Sequence, residues 1–188
     1  MILTLGFAII GFIDDYKKLT AKSHAGLSAY KRISLQIMFS SIFIYIISKS
    51  IPTDIYSNIY LHYFTDIALN LGILFPIFAL FVIIGTGNGV NLTDGLDGLA
   101  SFPIILTIVS YTIIAYIIGN QNYADYFQIN YIAGSKEIIV LATALIGGFL
   151  GFLWFNTPPA KIFMGDTGSL AAGASIAAIS IITKHELI

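Results

Sequence analysis

Gly85-Thr86-Gly87-Asn88-Gly89-Val90-Asn91-Leu92-Thr93-Asp94-Gly95-Leu96-Asp97-Gly98-Leu99-Ala100 lies between long apolar segments and places two Asn, two Asp and five Gly in one short stretch. Oxygen ligands and backbone freedom are concentrated where an apolar chain has least reason to carry either. Two further stretches share this character: Asp14-Asp15, and Asn156 to Ser169. If helical, the central stretch sets Asn91, Asp94 and Asp97 at i, i+3 and i+6, with their oxygens along one face.

The surrounding chain is that of a membrane protein. Of its 188 residues 57% are hydrophobic and 10% charged, and the mean hydropathy is +0.87; a soluble domain carries about 25% charged residues. A net charge of -1 gives no bulk attraction to nucleic acid, so no nucleic-acid partner is expected. There is no Cys, and His24, His62 and His185 have no metal-site spacing. Met1 to Ile13 lacks a basic leader and a small-residue cleavage site, so it reads as part of a span and not as a signal peptide.

A bilayer-crossing helix needs about 20 apolar residues. Four uncharged runs approach that length: Ile33–Ser48, Ile67–Ile84, Phe102–Gly119 and Ile138–Phe155. Met1–Ile13 and Leu170–Thr183 are shorter runs at the two ends. The expected architecture is an all-α polytopic bundle of about six transmembrane segments in one domain, residues 1–188. If each segment crosses, the loops with Asp14-Asp15, with Asn91-Thr93-Asp94-Asp97 and with Asn156-Lys161-Asp166 share one face. Lys17, Lys18, Lys22, Lys31, Arg32 and Lys161 lie on that face, and Lys49, Lys136 and Lys184 on the other. By the positive-inside rule the motif face is cytoplasmic. The loops Lys49–Asp66 and Asn120–Glu137, rich in Tyr, Asn and Ser, suggest interfacial belts with no catalytic part.

Each motif also has a plain structural reading. Lys17 and Lys18 can neutralise Asp14-Asp15 at a helix end. Asp166, Thr167 or Ser169 can cap the helix that follows, although capping needs one polar residue and this loop also holds Asn156, Pro158-Pro159, Lys161 and two glycines. Gly85-x-Gly87-x-Gly89 lacks the spacing and strand context of a dinucleotide loop. Asp166-Thr167-Gly168-Ser169 spells the aspartic-protease tetrapeptide, but once only, and a Gly-x-Gly-Asp intramembrane protease would need Gly at Phe163. Together the three stretches supply five carboxylates, amides and cations, with no His or Cys pair. Hard oxygens beside Lys and Arg suit Mg²⁺ and a diphosphate, and a membrane setting makes one substrate a lipid.

Three ordered motifs carry a family resemblance: Gly11-Phe12-Ile13-Asp14-Asp15-Tyr16-Lys17-Lys18, Asn91 to Ala100, and Phe152 through Asn156, Lys161, Phe163 and Asp166 to Ser169. Over essentially the whole chain the sequence resembles the polyprenyl-phosphate N-acetylhexosamine-1-phosphate transferase family. Thr93 to Gly98 and Pro158 to Met164 favour its phospho-MurNAc-pentapeptide transferases over its other sugar-phosphate transferases. The resemblance implies Mg²⁺-dependent transfer of phospho-MurNAc-pentapeptide from UDP-MurNAc-pentapeptide to undecaprenyl phosphate, giving lipid I and UMP. This is a step of peptidoglycan synthesis at the cytoplasmic (inner) membrane of a bacterium. It implies Asp166 as the Mg²⁺ ligand and Asp14 and Asp15 as the catalytic pair, with Asp14 the base toward the lipid phosphate. Lys18, Arg32, Asn91, Asp94, Asp97, Asn156, Lys161 and Phe163 would line the nucleotide and sugar pocket. It also allows a homodimer.

The chain departs from the family pattern in two ways. Arg32, preceded by Lys31, stands where the family usually has Lys, exchanging a point charge for a planar fork. The family's ten-helix chain is also longer, so this sequence reads as a central fragment without the early helices and a His-rich loop. Such a fragment is expected to bind Mg²⁺ or nucleotide sugar without turning over alone. The alternative is a catalytically inactive membrane fragment of the same fold.

Overall fold

The computed structural model describes residues 1–21, 26–60 and 68–187; Lys22, His24 and His62 lie outside them. Eight α-helices are seen among the described residues. In chain order they are α1 (Ile2–Thr20), α2 (Ala29–Ser50), α3 (Thr53–Tyr56), α4 (Phe75–Thr93), α5 (Ser101–Ile118), α6 (Gln121–Tyr126), α7 (Lys136–Asn156) and α8 (Gly165–Thr183). Five are long and apolar enough to cross a bilayer: α2, α4 with its 3₁₀ lead-in Gly72–Leu74, α5, α7 and α8. The chain is therefore an all-α polytopic membrane bundle.

Helix α1, the sixth expected segment, does not stop at Ile13 but continues through both acid residues to Thr20. Asp14 and Lys18 are one turn apart and form an ion pair at 2.6 Å, and Lys17 and Lys18 complement the negative end of the helix. The acids are thus built into a helix instead of a loop.

The expected Ile67–Ile84 span is displaced along the chain. Ala68–Asn70 is a strand, β2, pairing antiparallel with β1 (Asn58–Tyr60), with Asn58 opposite Asn70. Helix α4 starts at Phe75, with Pro76 in the first turn where a missing N–H costs nothing. It then runs through Gly85, Gly87 and Gly89, each of which costs about 1 kcal/mol in a helix relative to Ala. Packing explains why the helix survives: a Cβ on Gly173 of α8 would lie 2.6 Å from the Thr86 carbonyl and 2.7 Å from Gly87 Cα. The glycines let two backbones touch. The helix ends at Thr93, and Asp94 leaves it with ψ 50°. Asp97 therefore falls in the turn before α5, and the expected single face of Asn91, Asp94 and Asp97 is not formed.

Helix α8 is the axis of the fold. It packs against α1, α4 and α5, while α2 covers α1 and α4, and α7 leans on α5. Leu170, Ala172, Ala174, Ala177, Ile179 and Ile181 of α8 are buried, and small residues let its neighbours approach closely. Helix α7 turns Val140, Leu150 and Trp154 outward, an apolar face suited to lipid. At the end of α8 away from Asp166, Lys184 is buried in a left-handed conformation, paired to Glu186 at 2.7 Å and donating to the Tyr56 carbonyl. Burial lowers its amine and raises the Glu186 carboxyl, and the ion pair opposes both shifts.

Candidate active site

The site is assembled where α1 passes the start of α8. Gly11 makes the crossing tight, since a Cβ there would lie 2.2 Å from the Asp166 carbonyl oxygen. One turn on, the α8 backbone N–H groups meet the Asp15 carboxylate: Asp15 Oδ1 accepts from the N–H of Asp166 at 3.3 Å, and Oδ2 accepts from the N–H and hydroxyl of Thr167 at 3.0 and 2.8 Å. The first orphan donors of α8 are thus satisfied from another helix. Asp166, Thr167 and Ser169 do not cap α8. Gly165 enters at φ +63°, and a Cβ on it would crowd Asp15 Oδ2 at 2.9 Å, so two constraints require glycine here.

Relieved of capping, the Asp166 side chain faces the cluster. Its Oδ2 accepts from Lys18 Nζ at 2.7 Å and lies 3.7 Å from Arg32 Nη1, and its Oδ1 accepts from Asn91 Nδ2 at 2.7 Å. Lys18 also reaches Asp14 Oδ2 at 2.6 Å. Asp14 is 2% exposed, and its Oδ1 accepts from the Leu27 N–H at 2.6 Å. Asp14, Asp15 and Asp166 bring one oxygen each within 4.8 Å of one another.

Hard oxygens with no nitrogen or sulfur ligand match Mg²⁺ in chemistry, and the Lys18 ammonium already holds a cationic position between two of the acids. Three carboxylates against Lys18 and Arg32 leave one net negative charge, and Asp94 adds another. A divalent cation would balance the two. Burial, and then the charge of Asp166, push the Asp94 carboxyl above its ordinary value of 3.8. Its ionisation therefore costs the folded state stability. The penalty is full above the raised value and disappears as pH falls toward 3.8. Asp94→Asn should raise the thermal midpoint at pH 7 and leave it unchanged near pH 3.8. An equal effect at both pH values would contradict this electrostatic account.

Asp14, Asp15, Lys18, Arg32, Asn91 and Asp166 thus form one network. Asp94, at the end of α4, lies close enough to feel the charge of Asp166 without a place in its hydrogen bonds among the described residues, and the other expected residues lie elsewhere. Asn156 is 3% exposed: its Oδ1 accepts from Gly98 N–H and the Ser101 hydroxyl, and its Nδ2 donates to the Ile162 carbonyl. It braces the turn before α5 against the segment before α8. Asp97 joins the same brace, accepting from the Ala160 N–H at 3.0 Å. Lys161 is exposed. Phe163, 74% exposed, sits with Phe149, Phe152 and Met164 on an apolar cavity of about 370 Å³ that reaches Thr167 and Gly168. A second apolar cavity, about 390 Å³, is lined by Ile33 and Ile37 of α2 and by Phe81, Ile84 and Gly85 of α4. Ile33 is the residue next to Arg32.

Sequence reasoning missed Gln36, Asn88, Thr167 and Gly11 as members of the site. Asn88 stands one turn before Asn91 in the quoted stretch, and Gln36 is the one amide in the run Ile33–Ser48; an uncharged polar residue inside a span was the available signal.

Fold and site together define a polytopic membrane protein whose carboxylates and cations are gathered beside apolar cavities, a setting for phosphate chemistry on a lipid. The family model of glycosyl transferase family 4 matches residues 1–184. The chain belongs to that family, the transferases that move hexosamine 1-phosphates onto polyprenyl phosphates.

Proposed function

We propose that the protein is a phospho-N-acetylmuramoyl-pentapeptide transferase of the MraY type. It would move phospho-MurNAc-pentapeptide from UDP-MurNAc-pentapeptide to undecaprenyl phosphate, releasing UMP in peptidoglycan synthesis. The observation that carries this reading is the convergence of Asp14, Asp15 and Asp166 with Lys18, Arg32 and Asn91 from four separate helices. The sequences of Thr93–Gly98 and Pro158–Met164 favour this branch of the family.

In this reading Asp166 would hold Mg²⁺, which when bound would neutralise the diphosphate and the leaving UMP. Asp15 keeps Asp166 in place through the start of α8. Asp14 takes the proton of the lipid phosphate. A lipid phosphate oxygen forms a bond to the sugar-bearing phosphorus as the bond from that phosphorus to the bridging oxygen breaks. Lys18 and Arg32 balance the charge that moves onto the leaving phosphate. An Asp carboxylate as first nucleophile gives the same products by two displacements. The cavity beside Arg32 supplies apolar walls for the acceptor lipid.

The domain is proposed to be single, 1–188, with its motif face cytoplasmic, because Lys17, Lys18, Lys31, Arg32 and Lys161 lie there. A Cys at Thr157 should be shielded from an impermeant thiol reagent in intact cells and one at Ser57 labelled; the reverse pattern would overturn the orientation. Substrate choice is tested by calorimetry on the chain in nanodiscs with Mg²⁺. UDP-MurNAc-pentapeptide should bind at least about tenfold tighter than UDP-GlcNAc, a difference of 1.4 kcal/mol. Tighter UDP-GlcNAc binding would move the protein to another branch of the family. Sustained UMP release by this chain alone on adding undecaprenyl phosphate, abolished by Asp166→Asn, would overturn the expectation that it does not turn over by itself.

A further inference from the structure

We propose that Gln36, inside the membrane-spanning part of α2, is a positioning residue that fixes the Arg32 guanidinium beside Asp166 by locking the register of α2 on α4. Gln36 is fully buried. Its Oε1 accepts from Asn88 Nδ2 at 3.0 Å, and its Nε2 lies 3.4 Å from Asn88 Oδ1. Asn88 Nδ2 also donates to the Ile84 carbonyl of its own helix at 2.8 Å. That leaves Asn88 Oδ1 to accept from Arg32 Nη2 at 3.1 Å. The same Nη2 donates to Asn91 Oδ1 at 2.7 Å, so Asn91 turns its Nδ2 to Asp166 and Ser169.

The direction of every amide in this chain follows from groups that cannot reverse. Arginine only donates, so both asparagines must offer it oxygen. The Ile84 carbonyl and the Asp166 carboxylate only accept, so both must be offered N–H. A flipped Asn88 would set N–H against N–H and oxygen against oxygen. Gln36 and Arg32 are one turn apart on the same face of α2, and both engage Asn88 of α4. Arg32 also bonds Asn91 of α4, while Ile33 and Ile37 meet Phe81, Ile84 and Gly85 of α4 around an apolar cavity and give no directional hold. The buried amide pair gives a directional hold one turn from Arg32, and so sets how far Arg32 reaches toward Asp166.

Arg32 is the one arginine in the sequence, so ¹⁵N-arginine labelling of the chain in nanodiscs gives the spectrum of a single guanidinium. The parent should show separate, slowly exchanging Nη signals. Gln36→Met should speed rotation about the Nε–Cζ bond on the order of tenfold, with helix content by circular dichroism retained. Gln36→Glu keeps an oxygen acceptor toward Asn88 Nδ2 and should restore slow rotation. One averaged Nη signal in the parent overturns the proposal, as does parent-like rotation in a folded Gln36→Met. If Gln36→Met does not fold, fast rotation in a folded Gln36→Glu overturns it, and slow rotation there supports it. No substrate or cation enters these measurements, so failure of the transferase reading would leave their outcome untouched.

Discussion

Asp166→Asn should weaken divalent-cation binding by at least about 100-fold, the upper end of what loss of a mere supporting contact costs, and abolish any turnover the protein supports. An amide oxygen carries no charge for a hard cation, and Lys18, Arg32 and Asn91 would lose the anion on which they converge. Helix α8 should remain intact, because its first N–H groups are held by Asp15 and position 166 contributes only a backbone donor to that cap. Calorimetric Mg²⁺ titration and circular dichroism on one sample separate the two effects. A parallel loss of helix and binding would mean that Asp166 is a structural residue.

Gly11→Ala should do the opposite and damage the structure first. Its methyl would lie 2.2 Å from the Asp166 carbonyl oxygen, 2.4 Å from that carbonyl carbon and 2.5 Å from Thr167 N. All three are backbone atoms, so no side chain can rotate away. The helices must separate, at a typical overpacking cost of about 1 to 3 kcal/mol. The hydrogen bonds from Asp166 and Thr167 to Asp15 lengthen with the same movement, so cation binding should fall as well. Thermal unfolding and Mg²⁺ titration should both decline. An unchanged melting curve would show that α1 does not cross α8 as closely as described.

These two residues also show where sequence reasoning succeeds and stops. Asp166 was legible because an acid, a Lys and two glycines ahead of an apolar helix exceed what capping needs. Asp14, Asp15 and Asn91 were legible because apolar flanks make every oxygen conspicuous. Span existence was legible for the same reason, but span position was not. The run beginning at Ile67 counts apolar residues without seeing that Pro76 starts the helix, or that contact between Gly87 and Gly173 carries it through glycines. Which carboxylate caps α8 depends on a contact between residues about 150 positions apart. Asn156 and Asp97 resembled pocket residues in sequence, whereas the fold gives each a protein partner. Gly11 and Gln36 act through neighbours known only once the helices are packed.

The central claim is that the α1 and α8 carboxylates form one cation site that engages the diphosphate of a nucleotide sugar. Mn²⁺, a paramagnetic substitute for Mg²⁺, tests it directly in the chain reconstituted in nanodiscs. Pulsed electron paramagnetic resonance should show one saturable bound Mn²⁺, and ³¹P hyperfine coupling to it should appear when UDP-MurNAc-pentapeptide is added. Failure of folded protein to bind Mn²⁺, or bound Mn²⁺ without ³¹P coupling at saturating nucleotide, would contradict the account.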